Sequence, residues 1–140
     1  MRNQISLFSD GGARGNPGPA ACAFVVEEEN KVLHEESLFL GIATNNVAEY
    51  KGLLLGITWI FNNKNLGNRS ISFYMDSELI IKQLNGQYRV KDENLKELFI
   101  QVKNLLEKIQ SKVIFQHILR SKNKKADLLV NLELDKQKFS

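Results

Sequence analysis

Three β-like runs follow one another before the first helical segment, and this order excludes most architectures open to a chain of 140 residues. Ile5–Phe8 reads as a strand and enters a Gly/Pro-rich loop that continues to Pro19. Ala21–Glu27 is a second strand, and the polar turn Glu28-Glu29-Asn30-Lys31 leads to a third over about Val32–Leu40. Two strands joined by a short polar turn predict an antiparallel hairpin, with the first strand beside it. Gly41–Asn46 then forms a loop that delivers the chain to a helix.

That helix carries apolar residues at Tyr50, Leu53, Leu54, Ile57, Ile60 and Phe61, a stripe of 3.6-residue period. Asn46 is its expected N-cap, and Asn62-Asn63, close to Gly67, end it. Ser70–Met75 alternates Ile71, Phe73 and Met75 against Ser70, Ser72 and Tyr74, as a half-buried strand does. A short helix from Ser77 to about Leu84 stops at Asn85-Gly86. Asp92 is placed to cap a longer one, with its stripe at Leu95, Leu98, Phe99, Val102, Leu105, Leu106 and Ile109. Val113–Ile118 is the fifth strand, and a helix from about Lys124 to Lys136 follows. The order βββαβααβα implies an α/β fold, a mixed five-stranded sheet with helices on both faces. No repeat, low-complexity tract or linker interrupts residues 1–140, so one domain is expected.

Hydrophobic residues make up 43% of the chain, enough for a core, and charged residues 25%, so disorder is not indicated. The net charge of +3 is compatible with a nucleic-acid partner without demanding one. The run Arg120-Ser121-Lys122-Asn123-Lys124-Lys125 is basic and abuts Asp127; by itself such a run is most simply a solvated loop. Cys22 is the single cysteine, which excludes an intrachain disulfide and suits a reducing compartment. Met1-Arg2-Asn3-Gln4 shows no leader pattern, and no apolar stretch is long enough to cross a bilayer. A soluble cytoplasmic protein is expected, with no membrane association and no obligatory protein partner.

Four acids stand where this order ends a strand or begins a helix: Asp10, Glu49, Asp76 and Asp127. Each has a modest explanation. Asp10-Gly11 is a turn pair, Asn46 to Glu49 has capping-box spacing, Asp76 precedes Ser77 as an N-cap would, and Asp127 suits a helix start. Together they ask for more. The first strand takes the centre of such a sheet, the Asp76 strand pairs beside it, and two helix starts bring Glu49 and Asp127 to the same edge. Four carboxylates share one site only if something offsets their repulsion, and divalent cations are the usual solution. Carboxylate oxygens suit Mg²⁺ or Mn²⁺ better than zinc, and no Cys/His cluster is present.

The residues around these acids resemble a family. Ser-Asp-Gly-Gly-Ala-Arg-Gly-Asn-Pro-Gly-Pro at 9–19, Thr-Asn-Asn-Val-Ala-Glu-Tyr at 44–50, Met-Asp-Ser at 75–77 and Asn-Lys-Lys-Ala-Asp at 123–127 are similar, in order and spacing, to ribonuclease H of type 1. The resemblance implies a ribonuclease H-like fold and an endonuclease that hydrolyses the RNA strand of RNA–DNA hybrids. It implies two Mg²⁺ ions, with Mn²⁺ as a substitute, and products ending in 3′-hydroxyl and 5′-phosphate. Asp10 would bridge both ions, Asp127 would complete the one that activates water, and Glu49 and Asp76 would hold the one at the leaving oxygen. It assigns minor-groove contacts to Asn16, Asn45 and Asn46, and a DNA-phosphate pocket to Thr44 and Asn46. Gly11 and Gly12, lacking side chains, allow backbone to approach the RNA strand closely. The alternatives are a relative that also cuts double-stranded RNA or DNA, and a non-catalytic hybrid-binding module, which normally loses one or more acids.

The chain departs from the family pattern in places. Many members insert a basic helix and loop where Asn85-Gly86-Gln87-Tyr88-Arg89-Val90-Lys91-Asp92 here passes directly to the next helix. This is a short form lacking the basic protrusion, with Arg89, Lys91 and the 120–125 loop expected to offset part of the loss. Familiar members carry a mobile histidine before the last aspartate. Here His117 falls on the fifth strand, His34 is a hairpin residue, and Arg120 or Lys122 are the candidates for that role. Glu78 stands where some relatives place glutamine. Asn123 opens the Asp127 motif, Asn131 and Asp135 continue the Asp127 face at i+4 and i+8, and Trp59 is expected in the core.

Overall fold

The computed structural model describes residues 4–63, 66 and 69–138. Gly67, expected near the end of the first helix, and the Met1–Asn3 start lie outside the described residues. Strands β1 (Ile5–Ala13), β2 (Gly18–Glu28), β3 (Lys31–Ala43), β4 (Ile71–Met75) and β5 (Val113–His117) form one sheet in the order β3-β2-β1-β4-β5. The β1–β2 and β2–β3 pairs are antiparallel, and β1–β4 and β4–β5 are parallel. Helices α1 (Asn45–Asn62), α2 (Glu78–Leu84), α3 (Glu93–Lys108) and α4 (Lys124–Lys138) complete it, with a 3₁₀ turn at Arg120–Lys122. The mixed sheet and its central first strand are those implied by the sequence.

Two strands outrun their expected ends. β1 does not give way to a loop after Phe8; its ladder with β2 continues through Asp10↔Ala23 to Ala13↔Ala20. Gly11 and Gly12 are therefore strand residues, and the loop shrinks to the few residues around Gly15 and Asn16. β3 likewise continues to Ala43 by way of a bulge, where Ala20 pairs with Gly41 but Ala21 with Phe39. Gly41 takes φ +73° there, a conformation open to glycine at little cost.

β2 is covered on both sides, which explains its unbroken apolar run Ala20–Val26. On one side Leu7, Phe24 and Phe73 pack under Leu53 and Ile57 of α1 and Leu98 and Val102 of α3. On the other, Ala21 and Ala23 meet Val130 and Leu134 of α4. In β4, Ser72 is fully buried rather than solvent-facing, and its hydroxyl accepts a hydrogen bond from the Gln4 side chain. Trp59 is half-buried, not a core residue proper; its ring stacks on His34 with centroids 4.8 Å apart. Leu54 is only partly buried, and Phe61, at 37% exposure, leaves the stripe for the surface.

Helix α1 sits against β1 at backbone distance. A Cβ on Gly11 would lie 2.2 Å from the Ala48 carbonyl, and one on Gly52 would lie 2.5 Å from the Asp10 carbonyl oxygen. A Cβ on Gly56 would come within 2.9 Å of Leu7 Cδ1. Ala48, Gly52 and Gly56, four residues apart, thus form the strip on which α1 meets the central strand. This seating sets Glu49 beside Asp10. Among the described residues, no helix is long and apolar enough to cross a membrane.

Candidate metal centre and nucleic-acid interface

The caps of α1 and α2 free the acids for other work. Thr44, not Asn46, caps α1, its hydroxyl accepting from the Val47 N–H at 3.2 Å. The capping-box reading of Glu49 fails with that shift, because the third helical position is Val47. Ser77, not Asp76, caps α2 through the Ile80 N–H. Asp92 does cap α3, as its position implied. Glu49 and Asp76 are left without a role in helix ends.

Oxygens of Asp10, Glu49 and Asp76 all lie within 4.8 Å of one another. Asp10 is 6% exposed, and Glu49 Oε2 is buried with no hydrogen-bond partner. Burial above all, then the charge of Asp76, lifts the Asp10 carboxyl from 3.8 to about 7, against the Gly11 N–H that donates to its Oδ1 at 2.9 Å. Burial, then Asp10, pushes Glu49 well above the usual carboxylate range. Burial raises Asp76 too, opposed by the Arg120 guanidinium and by the Asn123 amide. Crowded acids that resist ionisation, with one buried oxygen unpaired, are what a site for hard divalent cations presents before metal enters. The donor set is all oxygen and fits a divalent metal.

Asp127 joins from the first turn of α4, lining the same cleft of about 500 Å³ together with Gly11, Gly12 and Asn45. Arg120 and Arg14 line it as well, and Arg120 Nη2 stands 3.4 Å from Asp127 Oδ1. Behind the cleft, Asn123 is 1% exposed and donates through Nδ2 to the Ser9 carbonyl at 3.0 Å, tying the start of α4 to the central strand. Arg14, which the sequence did not single out, reaches from the β1–β2 hairpin to Asp135 at 2.7 Å and to Asn131 at 3.5 Å. Asn131 lines the cleft and also donates to the Asp127 carbonyl at 3.0 Å, while Asp135 is drawn off to Arg14. Lys122 lines a separate cavity with Phe8 and Lys125 and is not among the cleft residues. His117 ends β5 opposite Met75 and is not among the cleft residues.

The asparagines are oriented by the backbone. The Ala13 N–H donates to Asn45 Oδ1 at 2.9 Å, and the Asn45 N–H donates to Asn16 Oδ1 at 2.9 Å. Only a carbonyl oxygen accepts from N–H, so both amide orientations are fixed by these bonds. Each exposed side chain therefore offers its Nδ2 to solvent as a donor. Asn46 is exposed in the first turn of α1, and Thr44 is occupied as its cap.

The small strip at Ala48, Gly52 and Gly56 escaped the sequence reading, although its four-residue spacing was visible. The buried bond from Tyr50 Oη to Gln83 at 2.6 Å, which links α1 to α2, had no such signal.

The sheet order and the acidic cleft on its central strand define a ribonuclease H-like fold. A family model described as reverse transcriptase-like matches residues 8–133. The crystal structure of LC11-RNase H1 in complex with RNA/DNA hybrid superimposes with a TM-score of 0.89 at 40% identity, covering 96% of this chain and 99% of that one. The Mycobacterium tuberculosis bifunctional protein Rv2228c is 36% identical over 134 residues, covering 94% of this chain but 36% of that protein. Ribonuclease HI of Halobacterium salinarum is 34% identical over 133 residues, covering 94% of this chain and 65% of that protein. The chain thus spans about a third of the mycobacterial relative's length. It belongs to the ribonuclease H family of type 1.

Proposed function

We propose that residues 1–140 form one ribonuclease H domain that hydrolyses the RNA strand of RNA–DNA hybrids, leaving 3′-hydroxyl and 5′-phosphate ends. The observation that carries this reading is the meeting of Asp10, Glu49 and Asp76 within 4.8 Å, with Asp127 on the same cleft. These four would hold two Mg²⁺ ions, or Mn²⁺ in their place. Bound there, the metals supply a lowered pKa for the attacking water and neutralisation of charge on the departing 3′-oxygen. Asp10, on the central strand and 6% exposed, would be the shared ligand, with Glu49 and Asp76 on one flank and Asp127 on the other.

The chain's own groups supply the rest. Asn16 and Asn45 offer donors, which suit the acceptor atoms of minor-groove base edges and the oxygens of 2′-hydroxyls. Gly12 keeps the backbone beside Asp10 clear, since a Cβ there would meet nothing nearer than Val130 Cγ1 at 3.9 Å. Gly11 lines the same cleft with its backbone, while the place its side chain would take is filled by α1. Arg120 stands over the cleft as a cation able to meet a phosphate.

Cleavage of labelled RNA–DNA hybrid, double-stranded RNA and double-stranded DNA in Mg²⁺ or Mn²⁺ tests the reading. Cutting confined to the RNA of the hybrid, lost in Asp10→Asn and Asp76→Asn variants that keep their circular dichroism, is the expected result. Equal cutting of the other duplexes, or activity surviving in both variants, overturns it.

A further inference from the structure

Asp10 and Glu49 are fixed by long elements. The β1–β2 ladder runs through Asp10, and the strip at Ala48, Gly52 and Gly56 seats α1 on β1. Asp76 has less to hold it. The parallel ladder of β4 with β1 ends at Phe8↔Tyr74, two residues short of Asp76. Past Met75, whose carbonyl accepts the Ile118 N–H at 2.9 Å, the chain turns into α2. The Asn123 amide acts on the Asp76 side chain, but the backbone that carries it is set by where α2 docks. That helix has seven residues, too few to be stable except through packing.

Most of the docking is apolar: Ile80, Ile81 and Leu84 enter the core shared with α1 and α3. One contact differs. Tyr50, the residue after Glu49, is fully buried, and its hydroxyl donates to Gln83 Oε1 at 2.6 Å. Gln83, on the second turn of α2, is itself 5% exposed. A phenylalanine facing a methionine would fill similar space with no polar group to satisfy. Apolar side chains tolerate sliding. A buried O–H···O bond keeps its length within about half an ångström and leaves two costly groups unpaired when it breaks. This one runs from the residue beside Glu49 to the helix that begins two residues after Asp76, so it fixes how these two acids are spaced.

We infer that Tyr50 and Gln83 are positioning residues for the metal centre, their bond holding Glu49 and Asp76 at the separation that a shared divalent cation requires. The inference rests on the proposed metal-dependent nuclease. Mg²⁺ accepts little departure from octahedral geometry, with oxygens at about 2.0–2.1 Å, so loosening two of its ligands should cost affinity.

The test is calorimetric titration of MgCl₂ and MnCl₂ into the full chain without nucleic acid, with Asp10→Asn as the blank. Tyr50→Phe and Gln83→Met each strand one buried polar group, and each should lower the melting temperature in EDTA by about 3–6 °C. The double variant Tyr50→Phe/Gln83→Met strands neither, so its melting temperature should return to within about 2 °C of wild type. Its metal affinity should not return, staying about five- to tenfold weaker than wild type, near the low end for losing a group that supports a ligand. In cleavage of hybrid, the double variant should lose kcat at limiting Mg²⁺ and regain it at saturating Mg²⁺, with KM for hybrid unchanged. A double variant that regains affinity together with stability overturns the inference and makes the bond purely structural. A rate loss that excess metal does not restore overturns it too. The nuclease reading is scored apart: wild type that binds metal but cuts no hybrid sinks that reading and leaves the tie standing. Wild type that binds metal no better than Asp10→Asn sinks both.

Discussion

Gly11 and Ala48 meet backbone to backbone: a Cβ built on Gly11 would stand 2.2 Å from the Ala48 carbonyl carbon and oxygen. No rotamer relieves such a contact, because both sides are main chain. Gly11→Ala must therefore lift α1 from β1 and carry Glu49 away from Asp10. The expected cost is about 2–4 kcal/mol in urea unfolding, toward the upper end for overpacking. Cleavage should fall at least about tenfold, with a higher divalent-metal requirement. Gly12→Ala is the internal control, since its new methyl would meet only Val130 Cγ1 at 3.9 Å. Its stability should change by less than about 1 kcal/mol; equal losses in the two variants would show that α1 is not what Gly11 accommodates.

The metal-free protein should lose stability as pH rises. Asp10 titrates near 7 in the folded chain but near 3.8 when unfolded, chiefly because of burial and then Asp76. Between those values the native state holds the extra proton, so unfolding becomes easier with increasing pH across that window. At 1.36 kcal/mol per unit, the strain fully released by Asp10→Asn is about 2–4 kcal/mol, shared with its neighbours. Thermal melts in EDTA should therefore show Asp10→Asn more stable than wild type at pH 8 and nearly equal to it at pH 4. Adding Mn²⁺ should raise the wild-type melting temperature more at pH 8 than at pH 5.5, and the variant's much less. A wild-type melt that is flat from pH 4 to 8 in EDTA would remove the crowding argument.

The element order, the central place of β1 and the gathering of acids at one edge were legible because they follow from hydrophobic period and connection rules, which are written residue by residue. Strand ends were not. Gly11 and Gly12 look like loop residues in isolation, yet the β2 ladder and the bulk of α1 hold them extended. The cap of α1 slipped from Asn46 to Thr44 because three candidate capping residues stand in a row, and only the register of Gly11 on Ala48 selects among them. Arg14 was passed over because its partners, Asp135 and Asn131, are more than a hundred residues away on α4. Local chemistry names candidates, and long-range packing chooses.

The Asn45 amide separates a fold role from a substrate role within one side chain. Its Oδ1 accepts the Ala13 N–H, and its Nδ2 faces solvent as a donor. Asn45→Asp keeps the acceptor and removes the donor. The melting temperature should hold within a few degrees, while KM for hybrid rises about tenfold or more, the value of one hydrogen bond lost beside charge. Asn45→Ala should lose both, with a lower melting temperature as well. Kinetics and melts on the pair decide it; a normal KM in Asn45→Asp would mean that the amide donor touches no substrate.

Arg120 is the last lever on the acids. Its guanidinium opposes the rise of Asp76 and Glu49 and lies 3.4 Å from Asp127, yet its side chain is 77% exposed. Such exposure screens the interaction, so its removal should leave stability within about 0.5 kcal/mol. Its effect belongs in the rate. Without that positive charge Asp76 and Glu49 hold protons to higher pH, and the acid limb of the cleavage profile should move upward in Arg120→Ala. Arg120→Lys should restore the limb, because charge rather than the planar fork sets it. The shift should shrink in high salt, as expected for an exposed pair screened over about 10 Å at 0.1 M. A rate loss uniform across pH and salt would instead place Arg120 on the reacting phosphate, where the guanidinium fork matters and lysine would not rescue.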